Sequence, residues 1–304
     1  MTSVFDEPEL AHEMQLDQAS PAYRMARVRE ASHVMGTELV DLLDRAWRSL
    51  DDLCTQLSPE DWNRSTDCPG WTVKDIVSHI AGTESWLLGR PLPNHEPQSI
   101  DHVHNEIGRI NEVQVDSRRP WPPEQVVADY REVTEERLEI LRGWTEQDLN
   151  ADSWTPFGPG TAKRLLAARL EDTWIHEQDI RSAVDRSGHQ EGPVPRYVLR
   201  DLARSGLGYV VAKKAGCPDG TTIGFEITGP EGFGCFVTVN GGRGKVVDAT
   251  ADDVQVSITM DQATFLHLVA GRGDPGAELD ADHVAFEGDK ELGSHIVRNM
   301  RFMI

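Results

Sequence analysis

A carboxylate four residues ahead of a histidine puts both side chains on one face of an α-helix, near enough to share a metal ion. On its expected helices the chain has three such pairs, Asp75/His79, Asp172/His176 and Glu291/His295. With 11 histidines and 51 acidic residues in 304 positions, chance gives about two by the same ligand-spacing rule. Spacing does not choose among the three, so their surroundings must.

In RLEDTWIHEQDIRSAV, Asp172, His176 and Asp179 recur at four- and three-residue intervals beside Leu170, Trp174, Ile180 and Ala183. A polar stripe bordering the buried face of a bundle helix is costly unless something cationic satisfies it. His79 sits between Val77 and Ile80 on a strongly apolar helix. The competing reading is a core histidine bonded to a carbonyl, with the acidic stripe simply solvated. Glu177 and Asp179 flank the stripe; Asp179 either orients an imidazole N–H or pairs with Arg181 or Lys74. Glu84 follows His79 by five residues, a poor helical match, and is left out. Glu291/His295 lies on the last helix with no third ligand in view and reads as a surface pair.

Other chemistries find little support. The chain has no GxxxxGK[ST] phosphate loop and no GxSxG elbow, and GPEGFG and NGGRG lie between strands as hairpin turns. Cys54, Cys68, Cys217 and Cys235 are widely spaced without a CxxC pair, which favours buried thiols over a disulfide framework or a cysteine zinc site. Cys68 has no activating base nearby in sequence, so it is expected to be structural rather than nucleophilic.

The elements that must position these residues follow from hydrophobic period. Leu39, Leu42, Leu43, Ala46, Leu50, Leu53 and Leu57 form one face of a first helix over 36–57. A Pro-Gly turn precedes a second, capped by Thr72 with Asp75 three residues later and running to Gly89. Residues 90–123 are a proline-rich connection with a short helix near Val103–Val115. A third bundle helix spans Glu124–Trp144, the turn-rich WTPFGPGT follows, and a fourth spans Thr161–Val184. Four helices with one long crossover describe a bundle. Beyond the linker-like SGHQEGPVP, a helix over Arg196–Lys214 leads into strands at TTIGFEIT, GCFVTVN and VQVSITM. The helix DQATFLHLVAG, the strand HVAFEG and the helix DKELGSHIVRNM close the chain. The expectation is an α+β protein of two domains, 36–190 and 191–304, after an extension over 1–35.

With 30 basic and 51 acidic residues the net charge is −21, which argues against nucleic acid and anionic membranes as partners and favours a small molecule. No apolar run approaches the roughly 20 residues that span a bilayer, and the acidic N-terminus lacks a signal-peptide order. A cytoplasmic protein is expected. Oligomeric state is not readable.

The segments CPGWTVKDIVSHIAGTESWLLGR and DTWIHEQDIRSAVDR resemble the two signature helices of the mycothiol-dependent maleylpyruvate isomerase family, whose N-terminal domain is a DinB-like four-helix bundle. DVQVSITMDQATFLHLVAGR and FEGDKELGSHIVRNMRF are similar to that family's sterol-carrier-like second domain. The resemblance implies a divalent metal, expected to be zinc, on His79, Asp172 and His176, with aspartate at 172 where the family has glutamate. It also implies mycothiol as thiol cosubstrate, in an isomerase or an S-transferase acting on a small electrophile. A second-domain arginine is expected to bind an anionic substrate, with Arg272 and Arg243 as candidates. A metal-activated hydrolase and a non-catalytic metal- or small-ligand-binding protein are the alternatives.

Overall fold

The computed structural model describes residues 36–247 and 253–303; the expected N-terminal extension lies outside them. Two domains appear, a helical one and an α+β one. The helical domain comprises α1 (Gly36–Cys54), α2 (Val73–Leu87), α3 (Glu106–Arg118), α4 (Pro123–Arg142), the single turn α5 (Glu146–Leu149) and α6 (Ala162–Ala183). Helices α1, α2, α4 and α6 form the bundle, and α3 packs on the outside of α2. The apolar stripe of α1 is buried as its spacing requires, with Leu39, Leu43, Ala46 and Leu50 all fully covered.

The start of α2 is fixed locally. Cys68, Pro69, Gly70 and Trp71 make a turn closed by the Trp71 N–H on the Cys68 carbonyl at 3.1 Å. Gly70 has φ +81°, the left-handed position that a Pro-Gly turn demands. Thr72 and Asp75 then form a reciprocal capping box, each side chain taking the other's backbone N–H.

The hairpin and the connection depart from the sequence reading. The segment read as a plain turn is a β-hairpin, β1 (Asp152–Thr155) with β2 (Gly158–Thr161), joined by Pro156 and Phe157. The short helix in the connection is α3, displaced toward the C-terminus because Asn105 caps it on the Gly108 N–H.

The second domain has a five-stranded sheet in the order β5-β4-β3-β6-β7, formed by β3 (Thr222–Thr228), β4 (Phe233–Asn240), β5 (Arg243–Val247), β6 (Val256–Asp261) and β7 (Val284–Gly288). Only β3 and β6 run parallel; the other pairings are antiparallel. Strand β5 continues directly from the NGGRG turn and was not expected. Helices α7 (Pro193–Tyr209), α8 (Gln262–Ala270), α9 (Pro275–Asp280) and α10 (Lys290–Arg298) accompany the sheet, and a π-helical turn (Val210–Lys214) extends α7. Helix α9 was not expected either. Helix α7 touches α1 and α6 as well as β4, β5 and α8, so it belongs to both cores. A Cβ on Gly208 would lie 2.3 Å from the Gly244 carbonyl oxygen, so the helix backbone rests directly on β5. No helix among the described residues is long and apolar enough to cross a membrane.

Candidate functional site

Helices α2 and α6 face each other inside the bundle and bring together two of the three histidine-bearing stripes. His79 Nε2 lies 3.2 Å from Asp172 Oδ2, and His176 Nε2 lies 3.6 Å from Asp172 Oδ1. The ligand atoms of His79, Asp172 and His176 all fall within 4.8 Å of one another. Both imidazoles are buried, while the Asp172 side chain is 26 % exposed, toward a cavity of about 370 Å³. Trp71 covers the pair, its ring centroid 5.0 Å from His79 and 6.0 Å from His176.

Tautomers follow from the partners. Burial works against an ionised Asp179, but His176 and Arg272 prevail and lower it to about 2. An ionised carboxylate only accepts, so in the 2.9 Å contact between His176 Nδ1 and Asp179 Oδ2 the imidazole donates. With Nδ1 committed to Asp179, it is Nε2 that faces Asp172, where an unprotonated nitrogen would present its lone pair. Burial likewise opposes an ionised Asp172, yet Arg169 and the two imidazoles hold it well below the usual carboxylate range. A lone pair facing a carboxylate is satisfied by a cation between them. His79 is kept neutral by burial, and Thr83 Oγ1, 3.5 Å from its Nδ1, serves either tautomer because a hydroxyl both donates and accepts. The donor set of two imidazoles and one carboxylate therefore fits a divalent metal, and matches the three-ligand sets of catalytic zinc.

Asp179, the flanking residue whose partner spacing left open, joins neither Arg181 nor Lys74. Arg272 grips it from the second domain, with Nε at 3.0 Å from Oδ1 and Nη2 at 3.0 Å from Oδ2. Arg272 thus reaches the site expected of it, but its guanidinium is engaged by a carboxylate of the chain. Arg243 does not reach the site: it begins β5, is exposed and does not line the cavity. Glu177 also points elsewhere, to Arg181, His189 and Ser49. Asp75 is spent on the α2 cap, and His295 bonds the Ala215 carbonyl away from the cavity.

Cys68, His176 and Asp179 form a second compact group. Burial and the neighbouring Asp179 push the Cys68 thiol up, so it stays protonated and donates to Asp179 Oδ2 at 3.2 Å. With Asp179 also chelated by Arg272, this group supports His176 rather than offering a second cation site. The four cysteines are buried and free.

Sequence reasoning missed the layer behind the ligands. Arg169 Nη1 holds Asp172 Oδ2 at 2.8 Å, and its Nε holds Glu84 Oε1 at 2.7 Å. Glu84 is wholly buried and also takes Arg137 Nε at 3.1 Å. On the other side, buried Glu112 accepts from Trp71 Nε1 at 2.8 Å and meets His102 Nε2 at 2.8 Å, tying the connection to the tryptophan over the imidazoles. A Cβ on Gly70 would meet the His102 ring at 2.7 Å, so that turn must be glycine on steric grounds too. These carboxylates carry no short-range helical signature with the residues they serve.

Residues 43–181 match the family model of the mycothiol maleylpyruvate isomerase N-terminal domain, and residues 217–301 match that of the SCP-2 sterol transfer family. Among solved structures, the mycothiol-dependent maleylpyruvate isomerase is similar with a TM-score of 0.53 at 17 % identity, covering 84 % of this chain and 95 % of that one. A histidine-to-alanine mutant of the same enzyme gives 0.51 at 16 % identity, with the same coverage. No curated protein sequence matches significantly. The helical domain of this chain is thus a mycothiol maleylpyruvate isomerase N-terminal domain, joined to a domain of the SCP-2 sterol transfer family on the fold of the mycothiol-dependent maleylpyruvate isomerase.

Proposed function

We propose that the chain is a divalent-metal enzyme, with zinc as the metal and mycothiol as thiol cosubstrate, acting as an isomerase or S-transferase on a small electrophile. One observation carries this reading: two imidazole Nε2 atoms and one carboxylate converge where the cavity meets the bundle core. His79, Asp172 and His176 would hold the metal, and a cation with three such ligands lowers the pKa of a thiol at its remaining position. The rest is the work of the chain. Asp179 keeps the His176 proton on Nδ1, Arg169 orients Asp172, and Trp71 shields the imidazoles from water. The likeness to the mycothiol-dependent maleylpyruvate isomerase supports the choice of thiol.

The test is metal content together with thiol consumption. Purified protein should carry about one divalent metal per chain, as a single three-ligand site requires, and His79→Ala and His176→Ala should each lose it. Electrophile consumption should need both metal and mycothiol. Metal retained in both variants would sink the site, and turnover without any thiol would replace the transferase by a hydrolase.

A further inference from the structure

The cavity in front of His79, Asp172 and His176 is walled by aromatic groups that the metal chemistry does not use. Trp86 from α2 and Trp154 from β1 meet edge to face, ring centroids 5.4 Å apart at 79°. Phe157, at the hairpin tip, also lines the cavity, as do Ile107 and Ile110 of α3. Trp154 is 46 % exposed and Phe157 47 %, a cost that an isolated surface has no reason to bear.

The hairpin that presents them is stiffened. Thr155 Oγ1 donates to the Gly158 carbonyl at 2.8 Å and accepts the Phe157 N–H at 3.2 Å, closing the turn. Arg164 of α6 stacks over the Phe157 ring with its guanidinium carbon 5.0 Å from the centroid. The same arginine is anchored to Glu171 and Asp201. The rings are therefore pre-positioned rather than free to collapse on each other.

The charges around the cavity argue in the same direction. Arg272 is held by Asp179 and Arg169 by Glu84 and Asp172, which leaves Arg169 Nη2 as the one atom of the two guanidinium groups that is buried without a partner. Glu112 and Glu171 add buried acidic groups to the lining. At the rim Arg301 is exposed. A small dianion would have Arg169 Nη2 and the exposed Arg301 to bind but would face the buried carboxyl groups of Glu112 and Glu171, whereas a flat apolar body would find three rings. The volume suits one drug-sized group.

We propose that Trp86, Trp154 and Phe157 form a binding subsite for a planar apolar or aromatic group, so that the electrophile taken by this chain is an aryl-type molecule rather than a compact dicarboxylate. This deepens the thiol-transfer reading and rests on it for the word electrophile, but the subsite itself is a matter of binding.

The test is equilibrium dialysis of the metal-loaded full chain with 2,4-dinitroaniline, an unreactive aryl probe, and with maleate, in the absence of thiol. Wild type should bind the aryl probe more tightly than maleate. Trp154→Ala and Phe157→Ala should each weaken the aryl probe by about tenfold, the loss of roughly one buried ring face. Trp154→Phe should restore most of it, with metal content unchanged throughout. Unchanged aryl binding in both alanine variants, or tighter binding of maleate by wild type, would overturn the subsite. Aryl binding that follows this pattern in a protein that consumes no thiol would uphold the subsite and refute the thiol-transfer reading.

Discussion

At the scale of the residue, the proposed centre is controlled by carboxylates that touch no metal. Asp179 fixes the His176 tautomer through a 2.9 Å bond and is itself fixed by Arg272. Acceptors in this position tune ligand basicity, and their loss typically lowers metal affinity about 10–100-fold. Asp179→Asn should therefore bind metal about 10–100-fold more weakly in chelator competition; an unchanged affinity would show that His176 needs no such partner. Glu84 acts one step further back, between two buried arginines. Removing one partner of a buried ion pair strands the other, at a cost of about 3–5 kcal/mol. Glu84→Ala strands Arg137 and leaves Arg169 with Asp172 alone, so the unfolding free energy from denaturant titration should fall by about 3–5 kcal/mol, and a loss under about 1 kcal/mol would mean that water reaches Arg137 and Arg169. The sequence exposed the His79, Asp172 and His176 pattern because i,i+4 spacing is local. It hid Glu84, because at five residues from His79 it faces Arg137 and Arg169 on other helices instead of the ligand. It also led to Arg243, since a glycine-rich turn carrying an arginine looks alike whether it faces a cavity or, as here, solvent.

At the scale of the element, the connection between α2 and α4 acts as a cap clipped at two points. Asp116 of α3 meets His95 Nε2 at 2.6 Å and takes the Gln98 N–H at 3.2 Å, while Glu112 meets His102. Burial pushes the Asp116 carboxyl up, but His95, Arg119 and the Gln98 N–H prevail and hold it below the usual range. Its folded pKa is thus below its unfolded one. The stabilisation is complete above the unfolded value of about 4 and is lost as pH falls through the lower folded value. Wild type should lose stability on acidification below about pH 4 by an increment that Asp116→Asn lacks, and at neutral pH the variant should show faster amide exchange over residues 95–104. Equal pH slopes for the two proteins would remove Asp116 as the clip. Periodicity found the four bundle helices and the strands with clean alternation. It missed β1, β2 and β5, because WTPFGPGT and GRGKVV are short and rich in glycine or proline. Their pairing is decided by tertiary neighbours, such as Arg164 over Phe157, and by the contact of Gly208 with Gly244.

At the scale of the whole molecule, the question is whether two domains that match different family models unfold as two units. The contacts argue for one. The bundle and the sheet share α7, in which Val198, Leu199, Leu202, Ala203 and Leu207 are fully buried between α1 and α6 on one side and the sheet on the other. Three polar ties cross the same seam. Arg272 chelates Asp179, Gln262 Nε2 donates to the Gln190 carbonyl at 2.8 Å, and Arg164 Nη1 of α6 donates to Asp201 Oδ2 of α7 at 3.0 Å; at the start of α7, Glu231 takes the Gly192 N–H at 2.8 Å. Glu231 also pairs with Arg196 of α7, so the turn between β3 and β4 is pinned at the start of the shared helix. Neither core is complete without α7, and loss of the seam would expose apolar surface on both sides at once. Calorimetry should then show one cooperative transition, coincident by near- and far-ultraviolet circular dichroism. Leu202→Ala empties a site both cores share, and should cost about 2–5 kcal/mol while leaving a single transition at lower temperature. Two resolved transitions in either protein, with only one displaced by the substitution, would assign α7 to that domain alone. The outcome bears on the site as well, because Arg272 reaches Asp179 only while the seam is closed, and with it the proton on His176 is held in place.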